Sequence, residues 1–131
     1  TLLEDSGGNQ VPVRLYTDPR KRQKLVTNLH AAWDVGLLRV WYYSWGSYGD
    51  FLESSWLPGR DEAALASGSV ADWVLESHAD AARVAYVPAR SGTAAVELDD
   101  AYIAAARPVI DRALGAGGVR LARVLNEALG D

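Results

Sequence analysis

Asn28-Leu29-His30-Ala31-Ala32-Trp33-Asp34 is the stretch on which the fold turns. Leu29, Trp33, Leu37 and Val40 recur at helical spacing and make one apolar face, so the spacing predicts a helix from about residue 28. Thr27 or Asn28 supplies an N-cap, whose side-chain oxygen accepts from an otherwise unpaired backbone amide of the first turn. His30 and Asp34 are four residues apart, so their side chains lie one turn above each other. They are rotated by about 100° from the apolar row, which puts them at the border of the core. A neutral imidazole nitrogen and a carboxylate oxygen both suit zinc, at about 2.0–2.2 Å. The same spacing also suits a helix-surface hydrogen bond between His and Asp, which is the more ordinary reading of the pair alone.

Upstream, Val11, Val13 and Leu15 alternate with Pro12, Arg14 and Tyr16, which predicts a short strand with Pro12 at its start or on a sheet edge. The run Asp5-Ser6-Gly7-Gly8-Asn9 before it reads as a turn. Downstream, Gly46 and Gly49 interrupt the apolar pattern, residues 50–57 form a short helix, and Pro58-Gly59 ends it. Ser69 and Asp72 have the form of a capping box. They open a helix with Val70, Trp73, Ser77, Ala81 and Val84 as its buried stripe, stopped near Val87 by Pro88. Residues 89–97 read as a polar loop. A third long helix begins near Leu98 or Asp99, with Tyr102, Ala105, Ala106, Val109, Ala113 and Leu114 along its apolar side and a kink at Pro108. Gly117-Gly118 breaks the chain, and a last helix starts at Val119.

The fold class expected is therefore mainly α, with a short β element near the start. The chain has 131 residues, 49% hydrophobic and 23% charged, which suits a packed domain and excludes wholesale disorder. A net charge of −4 argues against a broad basic surface that holds nucleic acid by counterion release alone. There is no Cys, so no disulfide and no thiolate metal site can form. No apolar run is long enough to span a membrane, and no signal peptide is visible. Met is absent and the chain opens with Thr1, so it is expected to be a processed or cut piece.

Four ordered segments carry a family likeness. Asp5-Ser6-Gly7-Gly8-Asn9 and Asn28-Leu29-His30-Ala31-Ala32-Trp33-Asp34 are the first two. Trp73-Val74-Leu75-Glu76-Ser77-His78, with Tyr86-Val87-Pro88 after it, is the third. The fourth is Gly118-Val119-Arg120-Leu121-Ala122-Arg123-Val124-Leu125-Asn126. Together they resemble the single-strand-specific zinc nucleases of the phospholipase C/nuclease superfamily: fungal S- and P-type nucleases, plant bifunctional nucleases and bacterial relatives. The resemblance covers nearly the whole chain, but only about the C-terminal half of the usual domain.

The resemblance implies a helical phosphodiesterase with three zinc ions in a cleft. His30 and Asp34 match two ligands of one zinc, and the other ligands belong to an N-terminal half that this sequence does not contain. Secretion or a periplasmic location is implied as well. So is action on single-stranded DNA or RNA and on 3′-nucleotides, giving 5′-phosphate products. Residues 1–131 are then expected to be the C-terminal part of a single domain, inactive alone. Val35 departs from the family pattern, in which a small polar residue follows the motif Asp.

Several residues keep two readings. Arg20, Lys21, Arg22 and Lys24 precede the His30 helix and either hold substrate phosphates or form a solvated loop. Tyr42, Tyr43, Trp45, Tyr48 and Trp56 either stack bases or pack a helix junction. His78 is either a metal ligand or a hydrogen-bonded structural His, and the second is the more ordinary. The glycines of the Asp5–Asn9 loop suit backbone geometry better than catalysis. Two other functions stay open: a zinc phosphoesterase of the phospholipase C type acting on lipid or another phosphomonoester, and a non-enzymatic helical interaction module.

Overall fold

The computed structural model describes residues 5–16, 24–42, 44–86 and 94–130. The strand read from the alternation forms as β1 (Pro12–Tyr16), with Val13 and Leu15 buried and Arg14 outward. β2 (Lys24–Asn28) pairs antiparallel to it, and the short β3 (Val96–Glu97) pairs parallel on its other edge. The sheet order is β2-β1-β3, so β1 is central and Pro12 is tolerated because it starts the strand. The expected loop at 89–97 is thus corrected at its end. A two-residue strand is too short for alternation to reveal, and residues 87–93 lie outside the described set.

β2 leads directly into the helix that carries His30. Asn28 caps it, accepting from the Ala31 amide at 2.8 Å, and α1 (Leu29–Ala31) begins. The backbone stays helical through a π-helical segment, Ala32–Gly36, into α2 (Leu37–Trp41). A Cβ on Gly36 would stand 3.5 Å from Leu15 Cδ1, so the helix lies close over the central strand. Leu29, Ala32, Leu37 and Leu38 pack with Val13, Leu15, Leu98, Ile103, Ala106 and Ile110 to form the core.

Gly46 and Gly49 do not interrupt a helix; they lie inside α3 (Trp45–Phe51), which continues as a π-helical segment, Leu52–Trp56. A capping box between Ser44 and Ser47 starts α3 and outweighs the low helix propensity of the two glycines. α4 (Glu62–Ala66), capped by Asp61, was not foreseen. α5 (Val70–Asp80) opens on the expected Ser69–Asp72 box and runs on through a π-helical segment, Ala81–Ala85. Of its expected buried stripe only Val84 is fully buried: Trp73 and Ala81 are half-buried, and Val70 and Ser77 are exposed. Helical periodicity marks a face for covering but does not say that the covering element is present.

α6 (Asp100–Leu129) is one helix, capped by Asp99 and unbroken at Pro108 or at Gly117-Gly118. Its C-terminal half is held by side chains rather than by propensity. Arg120 donates to the Leu65 carbonyl and Arg123 to the Ala66 and Gly68 carbonyls at the end of α4, and both guanidiniums lie 5.2 Å from the Trp73 ring centroid. Gly115 is needed for contact, since a Cβ there would overlap the Trp56 ring. Arg112 pairs with Glu76 and Asp80 and clamps α5 to α6.

Candidate metal centre

His30 is brought to its place by three contacts. Asn28 fixes the start of its helix. The Leu29 amide donates to the Val11 carbonyl at 2.8 Å, and the His30 amide to the Gly8 carbonyl at 3.4 Å. The glycine loop therefore folds back onto the first turn of the helix. Ser6, Gly7 and Gly8 take successive positive φ values of 55°, 67° and 88°. At Gly8 a Cβ would meet the His30 amide nitrogen at 3.2 Å, so glycine is required twice over, by conformation and by space.

This loop does more than turn. The Gly7 carbonyl lies 3.1 Å from His30 Nδ1. A carbonyl only accepts, so Nδ1 carries the proton and donates, which leaves Nε2 to face Asp34. His30 Nε2 and Asp34 Oδ2 are 3.1 Å apart. With no further donor between them, that gap is bridged by a proton on Nε2 or by a cation held by both atoms. Two ligands of a tetrahedral zinc stand about 3.4 Å apart, a few tenths from what is seen. The donor types, their spacing and the backbone partner on Nδ1 all fit a zinc ion. Both side chains are about half exposed or more, 48% for His30 and 61% for Asp34, so the pair is open to a ligand. Among the described residues, however, no group of three or more His, Asp or Glu could hold a metal. A catalytic zinc takes about three protein ligands, so the pair alone would not complete one.

The two residues line a cavity of about 280 Å³. Its lining is mostly apolar, from Leu29, Trp33, Ala81, Ala85 and Val109, with Tyr86 and Asp80 among its polar members. Asp80 is engaged by Arg83 at 2.9 Å and by Arg112. Its charge is therefore offset within the protein. Tyr86 donates to Asp5 Oδ1 at 3.4 Å, and burial together with that carboxylate pushes the phenol above its ordinary pKa.

Of the other candidates, Arg20, Lys21 and Arg22 lie outside the described residues. Lys24 opens β2 and donates to Glu97 at 3.0 Å, a bond that raises its pKa. It is four residues before Asn28, about 13 Å along a strand. His78 is exposed on α5, and its side chain makes no hydrogen bond to another described residue, which corrects the expected structural bond. The aromatic residues do not form one group. Tyr42, Tyr48 and Phe51 pack together, and the buried Tyr48 donates to Asp111 at 2.9 Å. Trp56 packs on Gly115, Trp45 is exposed, and Tyr43 is outside the described set. Packing is thus the role of Tyr48 and Trp56. The Asp5–Asn9 loop lies beside His30, and Tyr86 was missed as a neighbour of both. The ordered glycine motif pointed at the loop but could not say which carbonyl meets the ring.

The model of the S1/P1 Nuclease family matches residues 1–130. No curated protein matches the chain. With the glycine loop and the His30–Asp34 pair side by side in a mainly helical fold, and the family model spanning nearly all of it, the chain belongs to the S1/P1 nuclease family.

Proposed function

We propose that this chain is the C-terminal part of a zinc-dependent nuclease domain that cleaves phosphodiester bonds in single-stranded DNA or RNA. On this reading it also releases phosphate from 3′-nucleotides and leaves 5′-phosphate products. The observation that supports it most is the 3.1 Å approach of His30 Nε2 to Asp34 Oδ2, with Nδ1 already engaged by the Gly7 carbonyl. His30 and Asp34 would hold one zinc ion, and the remaining ligands, for this zinc and two others, would come from an N-terminal half of the same domain. When bound, zinc supplies a Lewis acid for the phosphoryl oxygen and an acidified water. This chain's own residues hold the imidazole in one tautomer, keep the carboxylate beside it, and line a mostly apolar cavity with them.

The acidic overall charge is compatible with a nucleic-acid substrate because the metal ions, rather than Lys and Arg, would carry the positive charge at the site. Arg20, Lys21, Arg22 and Lys24 are proposed to lean over the cleft and hold substrate phosphates. Changing all four to Ser should weaken binding and flatten its salt dependence while sparing turnover. A secreted or periplasmic location goes with this reading.

The test is a substrate panel with the full-length protein: single-stranded DNA, RNA, a 3′-nucleotide and phosphatidylcholine, each with and without EDTA. Chelator-sensitive cleavage of the first three supports the proposal. Hydrolysis of phosphatidylcholine alone would give the site to a phospholipase C type of enzyme. Zinc binding without hydrolysis of any of them would leave a metal-stabilised interaction module.

A further inference from the structure

The His30 ring depends on a loop whose geometry no single residue of the helix can enforce. Three successive residues, Ser6, Gly7 and Gly8, are in the left-handed region, and Ser6 at φ 55° is not a glycine. Such a run persists only where its surroundings hold it. Asp5 is the anchor. Its Oδ1 accepts from the Gly8 amide at 3.0 Å and from the Tyr86 hydroxyl at 3.4 Å. Its backbone carbonyl accepts from Gln10 at 3.0 Å. Tyr86 ends the π-helical segment that continues α5, more than fifty residues along the chain from His30, so the bond ties two separate elements to one loop.

The outcome is the placement of one carbonyl. With Gly8 held to Asp5 on one side and to the His30 amide on the other, the Gly7 carbonyl is aimed at His30 Nδ1. We propose that Asp5 and Tyr86 are positioning residues for His30. They lock the glycine loop so that its Gly7 carbonyl fixes the imidazole with Nδ1–H inward and Nε2 toward Asp34. The consequence for metal binding rests on the zinc reading above; the orientation of the ring does not.

Asp5 therefore acts on zinc through two steps, carboxylate to Gly8 amide and Gly7 carbonyl to imidazole, without touching the ion. Loss of a partner that orients a ligating His typically costs about 10–100-fold in metal affinity. Asp5→Ala removes the acceptor for both bonds, whereas Asp5→Asn keeps an oxygen able to accept both. Tyr86→Phe removes only the longer bond.

The experiment uses the full-length protein and two readouts. The first is the Nδ1–H proton of His30 in the metal-free protein, identified by its loss in His30→Ala and followed by its exchange with water. The second is zinc affinity measured by competition with a chelator. In the parent protein the Nδ1–H signal should be slow to exchange. Asp5→Ala should speed that exchange and weaken the zinc site by tenfold or more; Asp5→Asn should restore both. Tyr86→Phe should shift both the same way by a smaller factor, and it carries the test if Asp5→Ala fails to fold. Unchanged Nδ1–H exchange in both Asp5→Ala and Tyr86→Phe overturns the proposal. If exchange responds but His30→Ala binds zinc as tightly as the parent, the positioning role stands and the zinc reading falls.

Discussion

Trp33 donates its indole N–H to the Tyr102 hydroxyl at 2.7 Å, and Tyr102 donates in turn to the Ala85 carbonyl at 2.9 Å. The two rings meet edge to face with centroids 6.5 Å apart. Trp33 is the neighbour of Asp34, so this relay joins the His30 helix to α6 and to the end of the π-helical segment after α5. It makes the cavity lined by His30 and Asp34 a junction of three elements. Tyr102→Phe leaves the Trp33 N–H and the Ala85 carbonyl without their partner and should cost about 1–3 kcal/mol in urea unfolding. A loss of under a few tenths would show that water replaces the hydroxyl.

The same phenol gives a pH signature. Burial pushes Tyr102 from its ordinary 10.0 up to about 12. The folded state therefore keeps a proton that the unfolded chain gives up. Stability contributed by this group is fully present below pH 10 and falls as pH rises from there toward about 12. Burial raises Tyr48 in the same direction, with its bond to Asp111 adding to the shift. Urea midpoints taken at steps from pH 8 upward should be level and then decline, and Tyr102→Phe should remove part of that slope.

Two glycines of α6 should respond in opposite ways. At Gly117 nothing lies within 4 Å of an added Cβ, so Gly117→Ala gains helix propensity and should stabilise by up to about 1 kcal/mol. At Gly115 the Cβ overlaps Trp56, so Gly115→Ala should destabilise by about 1–3 kcal/mol in spite of the same gain. Thermal midpoints moving the same way in both variants would contradict the close Trp56–Gly115 packing.

Gly8→Ala tests the loop against the helix. It places a side chain at φ 88° and 3.2 Å from the His30 amide nitrogen. The left-handed conformation alone costs roughly 1–2 kcal/mol for an L-residue. The variant should unfold at lower urea and show a displaced His30 ring resonance; a stable variant with an unmoved ring would count against the close approach.

Much of this was legible in the residues. The alternation around Val13 and Leu15, the Asn28 cap and the Ser69–Asp72 box each act over a few neighbours, and each formed as read. So did the meeting of His30 with Asp34, because one helical turn sets it. What failed depends on distant partners. The Gly117-Gly118 pair reads as a break, yet α6 continues because Arg120 and Arg123 bind carbonyls some fifty residues away in sequence. The stripe on α5 reads as buried, yet Val70 and Ser77 are exposed, with nothing described to cover them. The π-helical turn at Ala32–Gly36, where the Leu37 amide reaches back to the Ala32 carbonyl, leaves no mark in hydrophobic spacing. Such turns often occur at functional sites, and this one carries Asp34.

His30 and Asp34 are proposed to hold a zinc ion used in phosphodiester cleavage. The most direct measurement is turnover on single-stranded DNA by the full-length protein, after removal of metal and stepwise return of zinc, in the parent and in His30→Ala and Asp34→Asn. The parent should recover with zinc. Both variants should stay well below it, with only partial recovery in excess zinc, because a lost ligand weakens the ion's affinity and the aim of its bound water together. Full turnover in His30→Ala, or undiminished cleavage by the metal-free parent, would contradict the account.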